Sequence, residues 1–333
     1  MKRIVFLALA VAGLWSCGGT GGSPAKPASV AVFVPGVASG SPIYEMLVSG
    51  AARAVEERPG TEFKVIEGGY DQSGWLDALK AIAASGEFDL IVTSNPALPE
   101  LCVKVAAEYP EVRFFVADAY MDGQRAIHTV LYNQLEQGYL VGYLAGALSV
   151  YKGSNRAGLI AAQRYPTLDR LIQPGFEAGL LAADPGMKLE YREIGNWYDA
   201  NRAAELAASL YNDDVEVILA VAGGAGQGVI AAAGSAGASV VWLDGAGYQL
   251  GPDVVVGCAT LAQDRLVYER VSALLDGKDL WGVADIVGAT DGYVGFDRDG
   301  PAYKALPESL RAEMDTVMAK LAEGKPAFTL DSF

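Results

Sequence analysis

Short apolar runs alternate with longer amphipathic segments along most of this chain. Val30–Val34, for example, carries only apolar side chains and is followed by proline and glycine before a periodic segment begins. Runs of this kind predict strands buried on both faces of a parallel sheet, and the periodic segments predict the helices that cover it. The alternation therefore predicts an α/β fold.

The first strand–helix unit indicates where a ligand binds. Ser41 and Pro42 suit the N-cap and the first residue of the helix that follows the strand. In open parallel sheets, ligands bind beyond the carboxyl ends of the strands. We therefore expect the loop that contains Ser41 and Tyr44 to form one wall of a small-molecule site.

The same pattern predicts the other elements along the chain. Strands are predicted at Ser29–Gly36, Glu62–Gly68, Leu90–Ser94, Arg113–Asp118, Thr129–Asn133, Arg156–Ala162, Leu189–Gly195, Val215–Ala222, Val240–Asp244 and Val254–Thr260, and near Asp285–Ala289 and Tyr293–Phe296. Helices are predicted at Pro42–Glu57, Ser73–Ser85, Pro99–Glu108, Leu135–Tyr151, Leu168–Ala183, Ala200–Tyr211, Gln227–Ala236 and Asp264–Leu275, and from Pro307 to about Glu323.

These elements form two similar α/β halves that meet around residues 128–135. We predict that residues 29–131 and about 261–285 form lobe 1, and that residues 132–260 and about 286–333 form lobe 2. No long low-complexity linker separates the halves, so we expect the chain to cross between them several times. Two lobes joined in this way close like a hinge around a ligand.

The N-terminal residues indicate an exported lipoprotein. A short basic segment precedes the apolar stretch Ile4–Leu14, which is too short to span a bilayer as a helix. Leu14-Trp15-Ser16-Cys17 resembles a bacterial lipobox, in which the cysteine is acylated and becomes the mature N-terminus. We therefore predict a signal peptide at residues 1–17, a flexible tether at residues 18–28 and extracytoplasmic attachment to the membrane through Cys17. The alternative is an ordinary signal peptide with a chance cysteine.

Composition limits the partners and the chemistry. Apolar residues make up 51% of the chain, enough for two cores, and the net charge of −15 argues against nucleic acid or an anionic membrane surface as a partner. Cys102 and Cys258 fall in different predicted elements among apolar neighbours, which favours two separate buried thiols. His128 is the single histidine and is expected in a surface turn before a strand, with no catalytic or metal-binding role.

Four loops at predicted strand ends carry unusual residues. They are Gly40–Tyr44, Thr93–Pro96 with Asn95, Gly195–Tyr198 with Trp197, and Ala222–Gly228 with Gly224. The last loop is similar to a dinucleotide-binding loop, and Asp244 follows at the end of the next strand, but Val229 stands where the third glycine of GxGxxG belongs. Close approach of the loop backbone to a hydroxyl-bearing ligand and simple helix–strand packing therefore both remain open, as does an exported NAD-dependent enzyme.

Two acids and two aromatic residues are the best candidates for ligand contacts. Asp118 and Asp244 each end a predicted strand, where their carboxylates can accept hydrogen bonds from hydroxyl or ring N–H groups. Tyr44 and Trp197 can stack on the two faces of a planar ring, or else pack beneath their loops. The sequence has no Ser-His-Asp set, zinc-ligand spacing or P-loop, so we predict a binding protein without catalytic residues, metal or cofactor.

Together with the lipobox, these residues resemble the basic-membrane-protein or PnrA-like family of ABC-transporter substrate-binding lipoproteins. The segments that carry the resemblance are FDLIV at 88–92, AAEYPEVRFFVAD at 106–118, EQGYLVGYLAG at 136–146, GFEAG at 175–179, AGGAGQGV at 222–229 and GYVG at 292–295. The resemblance implies a type I periplasmic-binding-protein fold, with two Rossmann-like lobes and three crossovers. It also implies capture of a nucleoside-like ligand for an ABC permease and its ATPase.

The resemblance implies roles for individual residues and also shows where this chain departs from the family. Trp197 matches the aromatic stacker of the second lobe, Gly224 its glycine loop and Asp244 its ribose-binding acid, while Asp118 matches the acid of the first lobe. Residues 41–44, Ser-Pro-Ile-Tyr, replace the Asp and Ser-Phe-Asn of nucleoside binders, and Gln263 replaces a lysine.

Tyr44 and Trp197 offer a broader stacking surface than paired Phe rings, and Gln263 in place of lysine removes a positive charge. Both changes suit a larger neutral ring with a polyol tail. The chain thus resembles the riboflavin-binding branch of the family, with a purine nucleoside receptor as the alternative. A sugar-responsive transcription regulator of the same fold would need an N-terminal helix-turn-helix, where this chain has a predicted signal and tether.

Overall fold

The computed structural model describes residues 28–245 and 247–330, in which the strands form two six-stranded sheets. In chain order the strands are β1 (Ser29–Val34), β2 (Glu62–Glu67), β3 (Leu90–Ser94), β4 (Arg113–Ala117), β5 (Ile127–Tyr132), β6 (Arg156–Ala161), β7 (Lys188–Glu193), β8 (Val217–Val221), β9 (Ser239–Asp244), β10 (Val255–Leu261), β11 (Ala284–Val287) and β12 (Val294–Asp297). The strand order is β11-β5-β4-β3-β1-β2 in sheet A and β12-β10-β9-β8-β6-β7 in sheet B. All pairs are parallel except β10 with β12.

Helices cover both sheets. They are α1 (Pro42–Glu56), α2 (Trp75–Ala84), α3 (Leu98–Glu108), α4 (Gln134–Tyr151), α5 (Gln173–Ala183), α6 (Ala200–Asn212), α7 (Gly226–Ala236), α8 (Gln263–Leu275), α9 (Pro301–Lys304) and α10 (Glu308–Ala322). A π-helical segment, Leu168–Ile172, leads directly into α5 and replaces the first turns of the helix predicted there. The other predicted elements are present, with ends within two residues of those expected, and the predicted α/β class is confirmed.

The chain passes between the two sheets three times, which matches the expected hinge. The crossovers are Tyr132–Gln134, Leu261–Gln263 and Val287–Val294. The Glu136 carboxylate accepts a hydrogen bond of 2.6 Å from the Ala289 amide, so the first crossover helix holds the third crossover. We call sheet A with α1, α2, α3 and α8 lobe 1, and sheet B with the remaining helices lobe 2.

The prediction that His128 lies in a surface turn is wrong. Strand β5 begins at Ile127, so His128 lies within it, fully buried, with Nδ1 2.9 Å from the Val283 carbonyl oxygen. Its ring stacks on Phe115 at 5.4 Å, and burial lowers the pKa of the imidazole. Pairing of β11 with β5 covers this position, and β11 comes from a distant part of the chain.

Cys102 and Cys258 are both buried and unpaired, as expected. The predicted signal peptide, the tether up to residue 27 and Cys17 lie outside the described residues. Among the described residues, no helix combines the length and apolar character needed to cross a bilayer.

Helices α4 and α5 lie unusually close together because glycines face each other along the contact. A Cβ atom on Gly142 would overlap the Phe176 carbonyl oxygen, and one on Gly179 would overlap the Tyr139 carbonyl oxygen. A Cβ atom on Gly146 would come within 2.9 Å of Ala183 Cβ. Helix α4 is buried along most of its length, so it serves as a core element of lobe 2.

We predict that Gly142→Ala destabilises the protein by about 1–3 kcal/mol or more, because the added methyl group must push α5 away. Urea unfolding of the purified protein measures the change. Gly74→Ala is the matched control, since Gly74 has open space beside it and a negative φ of −85°. Equal stability of the two variants would contradict the role assigned to the glycine contact.

Candidate ligand-binding site

The predicted site residues lie at the carboxyl ends of the strands of both sheets. In lobe 1 they are Ser41, Tyr44, Asn95 and Asp118, and in lobe 2 they are Trp197, Gly224 and Asp244. The two edges face each other near the hinge, where a Cβ atom on Gly245 would be 3.1 Å from Pro42 Cβ. The charge of Asp244 also acts on Asp118 across the cleft. The structure thus brings together residues that the sequence placed in separate loops.

Asp118 is a half-buried acid with one oxygen atom that lacks a donor. It follows β4 in a left-handed conformation, with φ of 52°, which a short polar residue tolerates. Its Oδ1 is buried without a hydrogen-bond partner. Burial, aided by the negative charge of Asp244, raises the pKa of Asp118 to about 8. A hydrogen-bond donor or a bound proton would therefore stabilise this carboxyl group.

Asp244 has the matching position in lobe 2. It ends β9, again with left-handed backbone at φ of 69°. Burial raises its pKa, and a hydrogen bond of 2.7 Å from Gln137 Nε2 to Oδ1 opposes that rise. Unlike Asp118, this carboxylate has a protein donor that fixes its orientation.

Gln137 is a residue of the site that the sequence analysis missed. It is fully buried in the first turns of α4, and its Nε2 also donates to the Ala259 carbonyl oxygen at 3.3 Å. The available signal was a polar residue early in a helix that is otherwise nearly all apolar. The sequence alone does not say which loop that residue faces.

Aromatic rings line lobe 1 of the cleft. Burial raises the pKa of Tyr44, and a hydrogen bond with the Asn95 side chain opposes the rise. A Cβ atom on Gly36 would be 3.0 Å from the Tyr44 ring and 3.6 Å from the Tyr70 ring, so only glycine leaves room for both. Tyr44, Asn95 and Asp118 therefore form one connected group, with Tyr70 at its outer side.

A second aromatic pair lies in lobe 2. Trp197 is 39% exposed, and its ring centroid is 5.8 Å from that of Tyr165, a residue that the sequence analysis missed. The Trp197 carbonyl oxygen accepts a hydrogen bond from the Ala225 amide at 3.1 Å, which ties Trp197 to the glycine loop. The Trp197 ring is therefore held beside the glycine loop and Tyr165 and remains partly exposed.

Two glycines of the loop Ala222–Gly228 are needed for close packing, and a third is exposed. A Cβ atom on Gly226 would be 2.7 Å from the Trp242 ring, and one on Gly228 would overlap the Ala200 carbonyl oxygen. Gly224 is exposed, and a Cβ atom there would meet only the Trp197 carbonyl oxygen, at 3.5 Å. Packing thus accounts for Gly226 and Gly228, and Gly224 is where the loop backbone remains accessible.

Ser41 and Gln263 lie at the start of α1 and at the second crossover. Ser41 is the N-cap of α1, but only its carbonyl oxygen takes part, accepting from the Tyr44 and Glu45 amides, and its hydroxyl makes no capping bond. Gln263 is fully buried; its Nε2 donates to the Ile43 carbonyl oxygen at 2.6 Å and its Oε1 accepts from Tyr132 at 3.4 Å. These contacts join the hinge to α1, and the ligand role of Gln263 stays a prediction.

Comparison with known proteins identifies relatives over most of the chain. Residues 28–322 match the family Bmp, described as ABC transporter substrate-binding protein PnrA-like. Basic membrane protein A1 of Borrelia garinii is 24% identical over 319 residues, covering 92% of this chain and 89% of that protein.

Two shorter matches each cover less than half of this chain. The CD4+ T-cell-stimulating antigen of Listeria monocytogenes is 27% identical over 149 residues, and the match spans 45% of this chain and only 41% of that antigen. The ABC transporter nucleoside-binding protein BmpA of Lactococcus lactis is 25% identical over 126 residues, or 38% of this chain and 35% of that protein.

Solved structures share the fold. A solute-binding protein of an ABC transporter from Aeropyrum pernix has a TM-score of 0.76 and 22% identity, covering 92% of this chain and 94% of its own. A solute-binding protein from Burkholderia graminis in complex with D-arabinose has a TM-score of 0.62 and 18% identity, covering 82% and 96%. The expected type I binding-protein fold is thereby confirmed. Within the described part of the chain, no group of three or more His, Cys, Asp and Glu residues could hold a metal ion.

We predict that Asp118→Asn stabilises the ligand-free protein increasingly as pH rises. The pKa of Asp118 is about 8 in the folded protein and is ordinarily 3.8, so the folded state binds its proton more tightly. The stability contributed by this group is complete below pH 3.8 and is lost as pH rises towards 8. Urea unfolding of both proteins at pH 5, 7 and 9 measures the difference.

Asp214→Asn is the control for this experiment, because Asp214 also has left-handed backbone, with φ of 61°, but is exposed. We expect the advantage of Asp118→Asn over the wild type to grow from pH 5 to pH 7 and to level off near pH 8. An advantage that does not vary with pH would show that the pKa of Asp118 is not raised in the folded protein.

Proposed function

This chain belongs to the PnrA-like family of ABC transporter substrate-binding proteins, and we propose that it is the receptor of an ABC importer for a neutral ligand with a ring and a polyol. The observation that carries the proposal is the pairing of an aromatic wall and a carboxyl group in each lobe. In lobe 1, Tyr44 is close enough to Asp118 for the charge of the acid to act on it. In lobe 2, Trp197 and Asp244 both lie at the carboxyl ends of strands of sheet B.

Riboflavin is the ligand that we propose first, and a purine nucleoside is the second candidate. Each lobe supplies two neighbouring rings, Tyr44 with Tyr70 and Trp197 with Tyr165, which suits a ring system broader than a purine. The amide of Gln263, where nucleoside binders have a lysine, is engaged with Ile43 and Tyr132. The Lactococcus lactis nucleoside-binding relative favours the second candidate.

Ligand capture follows from the two-lobed arrangement. We propose that the lobes open and close about the three crossovers, and that ligand contacts to both lobes shift this equilibrium towards the closed state. Tyr44 and Asp118 contribute from lobe 1, and Trp197, Gly224 and Asp244 contribute from lobe 2. The closed receptor, anchored outside the cytoplasm by a lipid on Cys17, delivers its ligand to the permease and ATPase subunits.

A binding experiment distinguishes the two ligands. We expect the purified protein to quench riboflavin fluorescence on binding, because stacked Trp and Tyr rings contact the flavin. Titration calorimetry with inosine and guanosine runs in parallel. Clear nucleoside binding without flavin quenching would replace riboflavin by the purine nucleoside, and binding of neither class would reject the proposed ligand type.

We predict that Trp197→Ala weakens binding of the ring ligand by about 1–3 kcal/mol, the range measured for base–aromatic stacking. The adjacent Tyr198, which is 82% exposed, supplies the control variant Tyr198→Ala, for which we expect little change. Calorimetric titration of both variants measures the effect. If Trp197→Ala binds as tightly as the wild type, Trp197 only packs against Tyr165 and the glycine loop.

A further inference from the structure

Two buried hydrogen-bond acceptors close to the paired acids of the cleft lack donors. Asp118 Oδ1 and Gln137 Oε1 are both buried and have no partner. Gln137 lies one hydrogen bond away from Asp244, whose charge also reaches Asp118. A buried acceptor without a donor costs free energy, so native proteins keep such groups mainly where something else supplies the donor.

The orientation of the Gln137 amide is fixed by its two partners. Nε2 donates to the Asp244 carboxylate at 2.7 Å and to the Ala259 carbonyl oxygen at 3.3 Å. Rotating the amide by half a turn would place Oε1 against these two acceptors, which is unfavourable. Both N–H groups of Gln137 are therefore used within the protein. Its Oε1 is buried beside Asp244 and is the polar atom of this side chain that has no partner.

We propose that Gln137 is a further ligand-binding residue, whose Oε1 accepts a hydrogen bond from a hydroxyl group of the ligand beside Asp244. The inference rests on the proposed function, because it assigns a third acceptor to the same cleft. Its consequence is a substrate class: the polyol part of the ligand acts as donor to Gln137, Asp244 and Asp118. Gln137 also positions Asp244, and these two roles need separate tests.

The experiment removes the proposed hydrogen bond from the protein and from the ligand in turn. Binding of riboflavin and of lumiflavin, which has the ring without the polyol, is measured by fluorescence for the wild type and for Gln137→Met. If inosine is the ligand, inosine and hypoxanthine replace them. We expect Gln137→Met to weaken the polyol-bearing ligand about tenfold and the bare ring less than about twofold. Equal loss for both ligands, or no loss for either, would overturn the proposal.

A second comparison separates direct contact from positioning of Asp244. In an Asp244→Ala background, a residue that acts only through Asp244 has no further effect. We expect Gln137→Met to weaken polyol binding again in that background, because its own contact is lost. Absence of a further loss would leave Gln137 as a positioning residue and overturn the assigned contact.

The controls keep the result separate from folding and from the proposed function. Ser149→Ala is matched to Gln137→Met, since Ser149 is also buried on α4 with an unpartnered hydroxyl, about 18 Å further along the helix axis. We expect Ser149→Ala to leave the ratio of the riboflavin affinity to the lumiflavin affinity unchanged. If Gln137→Met does not fold, Gln137→Asn withdraws the amide by one methylene group and is measured instead. Failure of the wild type to bind either polyol ligand rejects the proposed function, whereas failure of the ratio to change rejects only the role of Gln137.

Discussion

The close contact of α4 with α5 is the constraint on which the rest of the structure depends. Glycines on both helices let the backbones meet, and this fixes α4 in the core of lobe 2 directly after the first crossover. Its opening turns then carry Glu136 to the third crossover and Gln137 to Asp244. One packing contact thus positions the hinge and an acid of the cleft together. This contact accounts for the glycines of segments 136–146 and 175–179, two of the segments that carry the family resemblance.

The cleft combines aromatic surface with carboxyl groups from opposite lobes. Asp118 and Asp244 are both partly buried, and burial raises the pKa of each carboxyl group. Removing two carboxylates from water is costly unless donors or protons compensate. A ligand rich in hydroxyl groups supplies such donors, whereas an anionic ligand adds charge of the same sign. Under the proposed function, ligand recognition and lobe closure depend on the same carboxyl oxygen atoms.

The sequence predicted what depends on neighbouring residues and missed what depends on distant ones. Buried strands such as β1 and β3 were located because continuous apolar runs are a local signal. His128 was misplaced because β11, which covers it, lies more than a hundred residues later. Gln137 and Tyr165 were missed for the same reason, since only the folded arrangement brings them to Asp244 and Trp197. The positions of Asp118 and Asp244 at the sheet edges could be predicted because the carboxyl ends of parallel strands lie at one edge.

The position of β11 sets the order in which the protein can be completed. Sheet A receives its last strand only after the whole of sheet B except β12 has been synthesised, because Ala284 pairs with Thr129. Until then β5 is an open edge, and His128 has neither the Val283 carbonyl oxygen nor the strand that buries it. Contacts of such long sequence separation form slowly, since the loop between them must close first. During synthesis, strands β1 to β5 are therefore made early, and sheet A stays incomplete until β11 follows.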